Sequence, residues 1–193
     1  MKIIYLSGFG GNESSETYRS LLLKYPETSF IKYNNENAEI AFEQIKNILQ
    51  NKSNKTHIII GQSLGGFWAE YFAKKYNYSV ILINPSLKPH ENLAKYNLTE
   101  TELENFRKYK VEEKIETKLS IIVSKNDTIV NPDIVVSKYK NIVEIKYLES
   151  DHQINEFETL YTEIEYRIKK DKLIKKNRTV NSGLAQSGFR SLF

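Results

Sequence analysis

The sequence contains no cysteine, and this absence removes several kinds of chemistry at once. Disulfide bonds, thiolate metal sites and cysteine nucleophiles all depend on a sulfhydryl group. A chain without one suits a reducing compartment, and its nucleophilic chemistry must use another residue type. Histidine and aspartate are scarce as well, with three and four residues, so the candidates for acid–base chemistry can be compared one by one.

Long apolar runs are also missing. The apolar run at the N-terminus, Ile3 to Leu6, is much shorter than the core of a signal peptide, and Ser7 and Gly8 interrupt it at once. No other run approaches the roughly 18 apolar residues that cross a membrane. We therefore expect no membrane span and a cytoplasmic location, and the sequence leaves the oligomeric state open.

The body of the chain lacks an excess of positive charge. The formal net charge is +4, but residues 166–193 alone carry eight basic residues and one aspartate, which leaves a net charge of −3 on the residues before them. A basic tail can contact phosphates or anionic lipid. Most basic chain ends are simply solvated, so nucleic acid is not an expected partner.

Six short runs rich in β-branched residues and bounded by turn residues predict six strands. They are Lys2 to Leu6, Ser29 to Tyr33, His57 to Ile60, Ser79 to Ile83, Leu119 to Val123 and Ile142 to Tyr147. Most are continuously apolar, as in parallel strands that helices cover on both faces. Apolar stripes with helical spacing lie between them, at residues 38–49, 64–72 and 154–168. The alternation predicts the α/β class, with a mostly parallel, roughly six-stranded sheet in a three-layer α/β/α arrangement.

Two segments depart from this alternation. Residues 85–118 separate two strands by more than thirty residues and carry a capping-box pattern at Thr99 and Glu102, which predicts a helix. This segment is either a short cap-like insertion over the strand ends or a long crossover helix on the flank of the sheet. The apolar periodicity stops beyond Lys176, so we expect a folded domain at residues 1–170 and a basic, disordered tail at residues 171–193.

The segment Gly61-Gln62-Ser63-Leu64-Gly65 matches the pattern G-x-S-x-G between a predicted buried strand and a helix with an apolar stripe. A serine hydroxyl is a poor nucleophile at neutral pH unless it is exposed and hydrogen-bonded to a base, and a tight strand-to-helix turn achieves that exposure. The alternative is a glycine-rich turn with a spectator serine, in which the helix N-terminus binds phosphate. No Walker lysine follows and the G-x-G-x-x-G spacing is absent, so Ser63 is the predicted nucleophile.

His152 is the predicted general base. It follows the last predicted strand and precedes the last predicted helix, which is the position of the base when the nucleophile occupies a strand–turn–helix elbow. His57 opens the strand that leads to Ser63 and so lies at the opposite end of the sheet. His90 lies at the correct edge but precedes every candidate acid, so we place it in the substrate pocket instead.

Asp127 is the predicted acid, because it follows the fifth predicted strand and lies between Ser63 and His152 in the sequence. The other aspartates have different interpretations, as a helix-dipole partner, a loop former and a tail residue: Asp133, Asp151 and Asp171. The order of nucleophile, acid and base along the chain is the order that G-x-S-x-G hydrolases use.

An oxyanion hole requires backbone N–H groups beside the attacked carbonyl. Leu64, directly after the nucleophile, is predicted to supply one, and Phe9, in the glycine-rich loop after the first strand, the other. We expect a small, largely apolar substrate pocket around them. Its predicted wall residues, besides those two, are Leu87, His90, Ile129 and Ile154.

Five segments resemble those of the small, single-domain YqiA-like esterases of the α/β-hydrolase superfamily. They are IYLSGFGGN, GQSLGGFWAEYFA, ILINPSLKP, SKNDTIVNP and SDHQINEFE, and the similarity extends over residues 1–168. The resemblance implies a compact α/β-hydrolase fold and hydrolysis of short-chain carboxylic esters, with no cofactor and no metal. Members of the family commonly carry His-Gly-Phe in the first loop, where this chain has Ser7, Gly8 and Phe9.

These residues together predict acyl transfer to water, in which Ser63 attacks an ester carbonyl, His152 takes and returns the proton, and Asp127 orients His152. The expected partner is a small-molecule acyl ester. Two alternatives stay open. One is an acyl thioesterase or acyltransferase with the same three residues, and the other is a non-catalytic binding protein that retains the fold.

Overall fold

The computed structural model describes residues 2–51, 57–112 and 118–187, and strands alternate with helices through all three ranges. The strands are β1 (Lys2–Leu6), β2 (Ser29–Phe30), β3 (His57–Gln62), β4 (Ser79–Ile83), β5 (Leu119–Ser124) and β6 (Ile145–Leu148). The helices are α1 (Glu16–Lys24), α2 (Ala38–Asn51), α3 (Leu64–Tyr76), α4 (Pro89–Asn92), α5 (Glu100–Arg107), α6 (Pro132–Tyr139) and α7 (Phe157–Ser187), with a 3₁₀ turn at Ala94–Tyr96. The predicted α/β class is confirmed.

The six strands form one sheet in the order β2-β1-β3-β4-β5-β6, and every neighbouring pair is parallel. Because successive side chains of a strand point to opposite faces, a continuously apolar strand supplies two cores. In β3, Ile59 packs with α2, α3, α5 and α6 on one face of the sheet. Ile58 and Ile60 pack with α1 and α7 on the other face. This division is the predicted three-layer arrangement.

Four strands differ in their limits from the sequence prediction, and two of them, β3 and β5, are longer than predicted because they continue to Gln62 and Ser124. The sixth strand begins at Ile145, not at Ile142, because the N–H groups of Ile142 and Val143 donate to the Tyr139 carbonyl and so complete the end of α6. The second strand is also shorter than predicted, with only Ser29 and Phe30. Helix α1 has no apolar stripe in the sequence, since its buried face is half polar.

The segment after β4 divides into two parts with different positions. Phe106 of α5 is fully buried, with its ring 6.1 Å from those of Phe67 and Trp68 in α3, so this helix lies on the flank of the sheet. The predicted capping box of Thr99 and Glu102 begins it. Helix α4 and the 3₁₀ turn lie instead at the carboxyl ends of the strands. Residues 113–117, the end of the predicted insertion, lie outside the described ranges.

The expected tail requires a correction, because α7 continues past residue 171 to Ser187. Asp171 is buried, and its two carboxylate oxygens lie 2.8 and 2.7 Å from the Ser79 hydroxyl, which donates its proton to them, so Asp171 packs against the sheet. Four residues earlier, Arg167 donates to the Leu119 carbonyl and to the Ser120 hydroxyl. One helical turn separates these polar anchors, so helical geometry extends the packed region beyond the last apolar residue of the stripe. Residues 188–193 lie outside the described ranges.

Within those ranges, no helix combines the length and the apolar character that a membrane crossing requires.

Candidate active site

Ser63 lies in the turn between β3 and α3 with a strained backbone, at φ 55° and ψ −120°. Non-glycine residues rarely adopt positive φ, and where they do the surrounding structure must hold them there. The Ser63 N–H donates to the Ile83 carbonyl at 3.0 Å, and the Ser63 carbonyl accepts from the Ser86 N–H at 2.9 Å. The neighbouring strand β4 and the loop after it therefore fix the turn, and the G-x-S-x-G pattern forms the predicted elbow.

The glycines around this turn permit contacts that a side chain would prevent. A Cβ atom at Gly65 would lie 2.0 Å from the Leu6 carbonyl oxygen, and one at Gly61 would lie 2.3 Å from the Gly65 carbonyl oxygen. A Cβ atom at Gly8 would lie 2.9 Å from the Cβ atom of Ser63. The first loop therefore lies directly against the serine, as an oxyanion loop requires.

His152 and Asp127 form a hydrogen-bonded pair, with Nδ1 of the imidazole 2.7 Å from Oδ2 of the carboxylate. The Asp127 side chain is almost fully buried, and its Oδ1 accepts the N–H groups of Ile129 and Val130 at 2.8 and 2.9 Å. These donors fix the carboxylate. Because a carboxylate only accepts, the proton of a neutral imidazole lies on Nδ1, and Nε2 is left as the basic nitrogen.

Several hydrogen bonds hold the first loop in place. Tyr33 donates its hydroxyl to the Ser7 carbonyl at 2.6 Å, and Asn35 Oδ1 accepts the Gly10 N–H at 2.7 Å. Gly11 donates to the Gly8 carbonyl, and the Phe9 N–H makes no hydrogen bond to any described residue. The Leu64 N–H opens α3, where an amide has no partner inside its own helix. Both predicted oxyanion donors are thus available.

A cavity of about 420 Å³ opens at this edge of the sheet, and Ser63, His152 and Phe9 all line it. It is more polar than the sequence suggests. Its polar walls include Ser7, Ser15, Ser86, Asn92, Thr128 and Gln153. Apolar side chains share the wall, since the ring of Phe9 stacks on that of Tyr96 with 4.6 Å between centroids, and Ile129 also lines the cavity. The expectation of a largely apolar pocket is therefore corrected to a wall of mixed polar and apolar character.

The other predicted pocket residues lie elsewhere. Leu87 and Ile154 are buried in the two hydrophobic cores, on opposite faces of the sheet. His90 lies in α4 with its ring 3.6 Å from the Glu91 carboxylate, and partial burial, followed by the charge of Arg107, lowers its pKa. None of the three lines the cavity, and of the four predicted wall residues only Ile129 does.

The remaining candidates keep the roles assigned from sequence. Asp133 lies in the first turn of α6, where its N–H donates to the capping Asn131 side chain. Asp151 accepts the Gln153 N–H at 2.8 Å, which shapes the loop before α7. Residue 57 begins β3, at the end of the sheet opposite Ser63. In the part of the chain that the structure describes, no cluster of three or more His, Asp or Glu residues is spaced to hold a metal ion.

Two buried amides beside His152 are absent from the predicted site. Gln62 donates from Nε2 to the His152 carbonyl at 3.3 Å, and Asn84 donates from Nδ2 to the same oxygen at 3.1 Å. Both residues lie in segments that the sequence already singles out, the G-x-S-x-G pattern and ILINPSLKP. Their side-chain targets lie 90 and 68 residues away, so no local pattern identifies them.

Comparison with known proteins identifies the family that this sequence matches. The family model described as Uncharacterised protein family (UPF0227) matches residues 2–167. UPF0227 proteins of Yersinia pseudotuberculosis and Yersinia pestis are 29% identical to this chain over 98 residues, which is 48% of this chain and 54% of theirs. The alignment thus spans about half the length of these curated relatives. The match confirms the resemblance to the YqiA-like family.

Solved structures resemble the whole fold at low sequence identity. Est1E from Butyrivibrio proteoclasticus has a TM-score of 0.64 at 13% identity, covering 90% of this chain and 88% of its own. Mouse alpha/beta hydrolase domain-containing protein 10 has a TM-score of 0.64 at 15% identity, covering 91% and 90%. A metagenome-derived structure from the work on the lipolytic enzymes LipS and LipT reaches 0.63 at 15% identity, covering 87% and 93%. The chain has the α/β-hydrolase fold.

Proposed function

The chain belongs to the UPF0227 family, and from this premise we propose that it is a serine hydrolase that cleaves small carboxylic esters. The family description supplies no activity, so the proposal depends on the site. One observation carries it: Ser63, in a strained turn, and His152 line the same cavity, and the ring of His152 is hydrogen-bonded to the buried Asp127. Backbone strain of this kind persists where function requires it.

The proposed reaction has two halves. The Ser63 hydroxyl oxygen attacks the ester carbonyl while His152 Nε2 takes its proton, and the N–H groups of Leu64 and Phe9 stabilise the oxyanion. The imidazolium then gives that proton to the leaving alcohol, and an acyl-enzyme forms. Water attacks the acyl group next, His152 takes a proton from the water, and the proton returns to Ser63 as the acid departs.

The Ser63 hydroxyl makes no hydrogen bond among the described residues. Catalytic hydrogen bonds are often long in unliganded enzymes and tighten only when substrate is bound. We therefore expect the bond between Ser63 and His152 Nε2 to form in the substrate complex. Because Asp127 already holds Nδ1, Nε2 is the ring nitrogen left for this contact.

The cavity wall favours a neutral ester over an acyl-CoA thioester. Among the described lining residues there is no lysine and no arginine, and Asp151 supplies a negative charge. Coenzyme A carries several phosphate charges, which proteins usually bind with cationic side chains or helix N-termini. The proposed partner is thus a small, uncharged ester with polar substituents. A cytoplasmic location remains part of the proposal, in keeping with the absence of cysteine.

A fluorophosphonate probe tests the proposal directly, because it reacts with a serine that a general base activates. We expect the parent protein to be labelled on Ser63 and to hydrolyse p-nitrophenyl acetate, and the Ser63→Ala and His152→Ala variants to lose both. Ser14→Ala, at an exposed serine, is the matched control and should retain both. Hydrolysis that survives Ser63→Ala would refute the assignment, and a parent that is neither labelled nor active would favour the binding-protein alternative.

A further inference from the structure

We propose that Gln62 and Asn84 are positioning residues that hold the general base in place, by binding the main-chain carbonyl of His152 with their side-chain amides. The inference rests on the proposed function, since it assigns a role relative to His152 as the base. It concerns the backbone of His152, whereas Asp127 acts on the ring. Together, the two amides fix the backbone of His152 and Asp127 fixes its imidazole ring.

The need for an anchor follows from where His152 lies. It occupies the irregular loop between β6 and α7, where no strand or helix ladder binds its backbone. A carbonyl oxygen has two lone pairs, and the His152 oxygen receives one donor from Gln62 at 3.3 Å and one from Asn84 at 3.1 Å. Both acceptor positions are thereby used. The loop carries the base, and two side chains from the sheet hold the loop.

The orientation of each amide follows from its partners. A carbonyl can only accept, so each amide must present its nitrogen to His152. At the other end of the Gln62 side chain, Oε1 accepts the Tyr5 hydroxyl at 2.8 Å. The Oδ1 atom of Asn84 accepts the N–H of Ser124 at 2.7 Å. Reversing either amide would place two acceptors together, so both are fixed in the donating orientation.

Both amides stand on rigid supports. Gln62 is the last residue of β3, and Asn84 follows the neighbouring strand β4 directly. They are 3% and 2% exposed, and a buried amide without its hydrogen bonds is destabilising, so both are held to their partners. Asn84 has a φ of 43°, a conformation that asparagine tolerates better than most residues. The central strands of the sheet thus define the position of the base.

The position of Gln62 links the base to the nucleophile. It immediately precedes Ser63, so one strand end carries both the attacking hydroxyl and a contact to the loop that bears His152. Any shift of that loop changes the distance between Ser63 and the imidazole. A misplacement of about 1 Å in a catalytic group can cost about 100-fold in rate. Loss of the amides should therefore reduce the rate of chemistry and leave substrate binding nearly unchanged.

Kinetics of Gln62→Met, Gln62→Glu and Asn84→Gly test this inference on the full chain. Methionine keeps the length of glutamine without its donor, glutamate keeps the acceptor for Tyr5, and glycine keeps the positive φ of residue 84. We expect kcat for p-nitrophenyl acetate to fall about 10- to 100-fold in each, with KM within about twofold. Asn126→Ala is the matched control, because that amide donates to the Glu149 carbonyl of the same loop and not to His152.

A double-mutant cycle separates positioning from a general structural role. The rate constant for fluorophosphonate labelling of Ser63 is measured for Gln62→Met in the parent and in an Asp127→Asn background, where the imidazole is already misoriented. If Gln62 acts through His152, Gln62→Met should reduce the labelling rate constant by a much smaller factor in the Asp127→Asn background than in the parent. An equal reduction in both backgrounds would overturn the inference.

Two further outcomes are equally decisive. A rise in KM at unchanged kcat would overturn the inference in favour of a role in the pocket wall, which Gln62 also lines. A parent that hydrolyses esters while all three variants equal it would refute the positioning role and leave the proposed function intact. A parent with no activity and no labelling would instead refute the proposed function, and the inference with it.

Discussion

The imidazole of His152 and the carboxylate of Asp127 meet at 2.7 Å, and the second oxygen of that carboxylate is bound by two backbone N–H groups. The carboxylate therefore has one oxygen committed to the backbone of its own loop and one committed to the ring. This division fixes the carboxylate that holds Nδ1, and His152 lies on the wall of the cavity that Ser63 also lines.

Replacing Asp127 with asparagine should preserve the fold and greatly reduce activity. The amide oxygen can still accept the N–H groups of Ile129 and Val130, but the amide nitrogen then faces Nδ1 and favours the wrong imidazole tautomer. We expect kcat to fall by about 10⁴-fold. The measurement is kcat for p-nitrophenyl acetate, together with the urea unfolding midpoint. Asp133→Asn, on the first turn of α6, is the control, and equal activity of the two variants would argue against Asp127 as the orienting acid.

Gly65→Ala should destabilise the protein far more than Gly10→Ala. The new Cβ atom at residue 65 would lie 2.0 Å from the Leu6 carbonyl oxygen, so β1 and α3 would have to separate. We expect a loss of about 3 kcal/mol or more in the free energy of unfolding. Gly10 has a φ of 68° and a Cβ atom there would meet nothing within 4 Å, so alanine should cost only about 1–2 kcal/mol for the left-handed backbone. Urea unfolding of both variants measures the difference, which would vanish if the β1–α3 approach were loose.

The stability contribution of Glu70 should decrease as the pH rises. Burial raises the pKa of this carboxyl above its ordinary value of 4.5, and the neighbouring Lys138 offsets the rise only in part. A raised pKa means that the folded protein binds the proton more tightly than the unfolded chain. The contribution is therefore full below pH 4.5 and is lost as the pH rises through the folded-state pKa.

Comparison with Glu70→Gln isolates this contribution, because glutamine does not titrate and the other carboxyl groups are common to both proteins. The free energy of unfolding of the parent, relative to Glu70→Gln, should fall between pH 4 and pH 7 in urea titrations. A difference that increases with pH would mean that the ion pair with Lys138 outweighs burial.

Asp171→Ala should destabilise the protein, although the residue lies beyond Ile168, the last residue of the predicted apolar stripe. Its two carboxylate oxygens share the single proton that the Ser79 hydroxyl donates at the start of β4. Hydrogen bonds to charged groups contribute about 1.5–3 kcal/mol, and we expect a loss of this size in the free energy of unfolding. Lys172→Ala, at the exposed next position, is the control and should change stability by less than about 0.5 kcal/mol. Equal stability of both variants would indicate that residue 171 belongs to the tail and does not stabilise the domain.

The sequence by itself determined the alternation of strands and helices, because continuously apolar strands and helical stripes leave different periodicities in the chain. It also determined which loops meet. Ser63, Asp127 and His152 all follow parallel strands, and the carboxyl ends of such strands share one edge of the sheet. Topology alone therefore brings these residues to the same side.

Only the tertiary structure decided the contacts that cross between distant segments. The binding of the His152 carbonyl by Gln62 and Asn84, the polar part of the cavity wall and the anchoring of Asp171 on Ser79 all join residues far apart in the chain. Such contacts depend on strand order, register and the direction of individual side chains, which no local pattern encodes. The burial of Leu87 and Ile154 has the same cause, since a loop residue near an active site faces either the cavity or the core according to how its backbone turns.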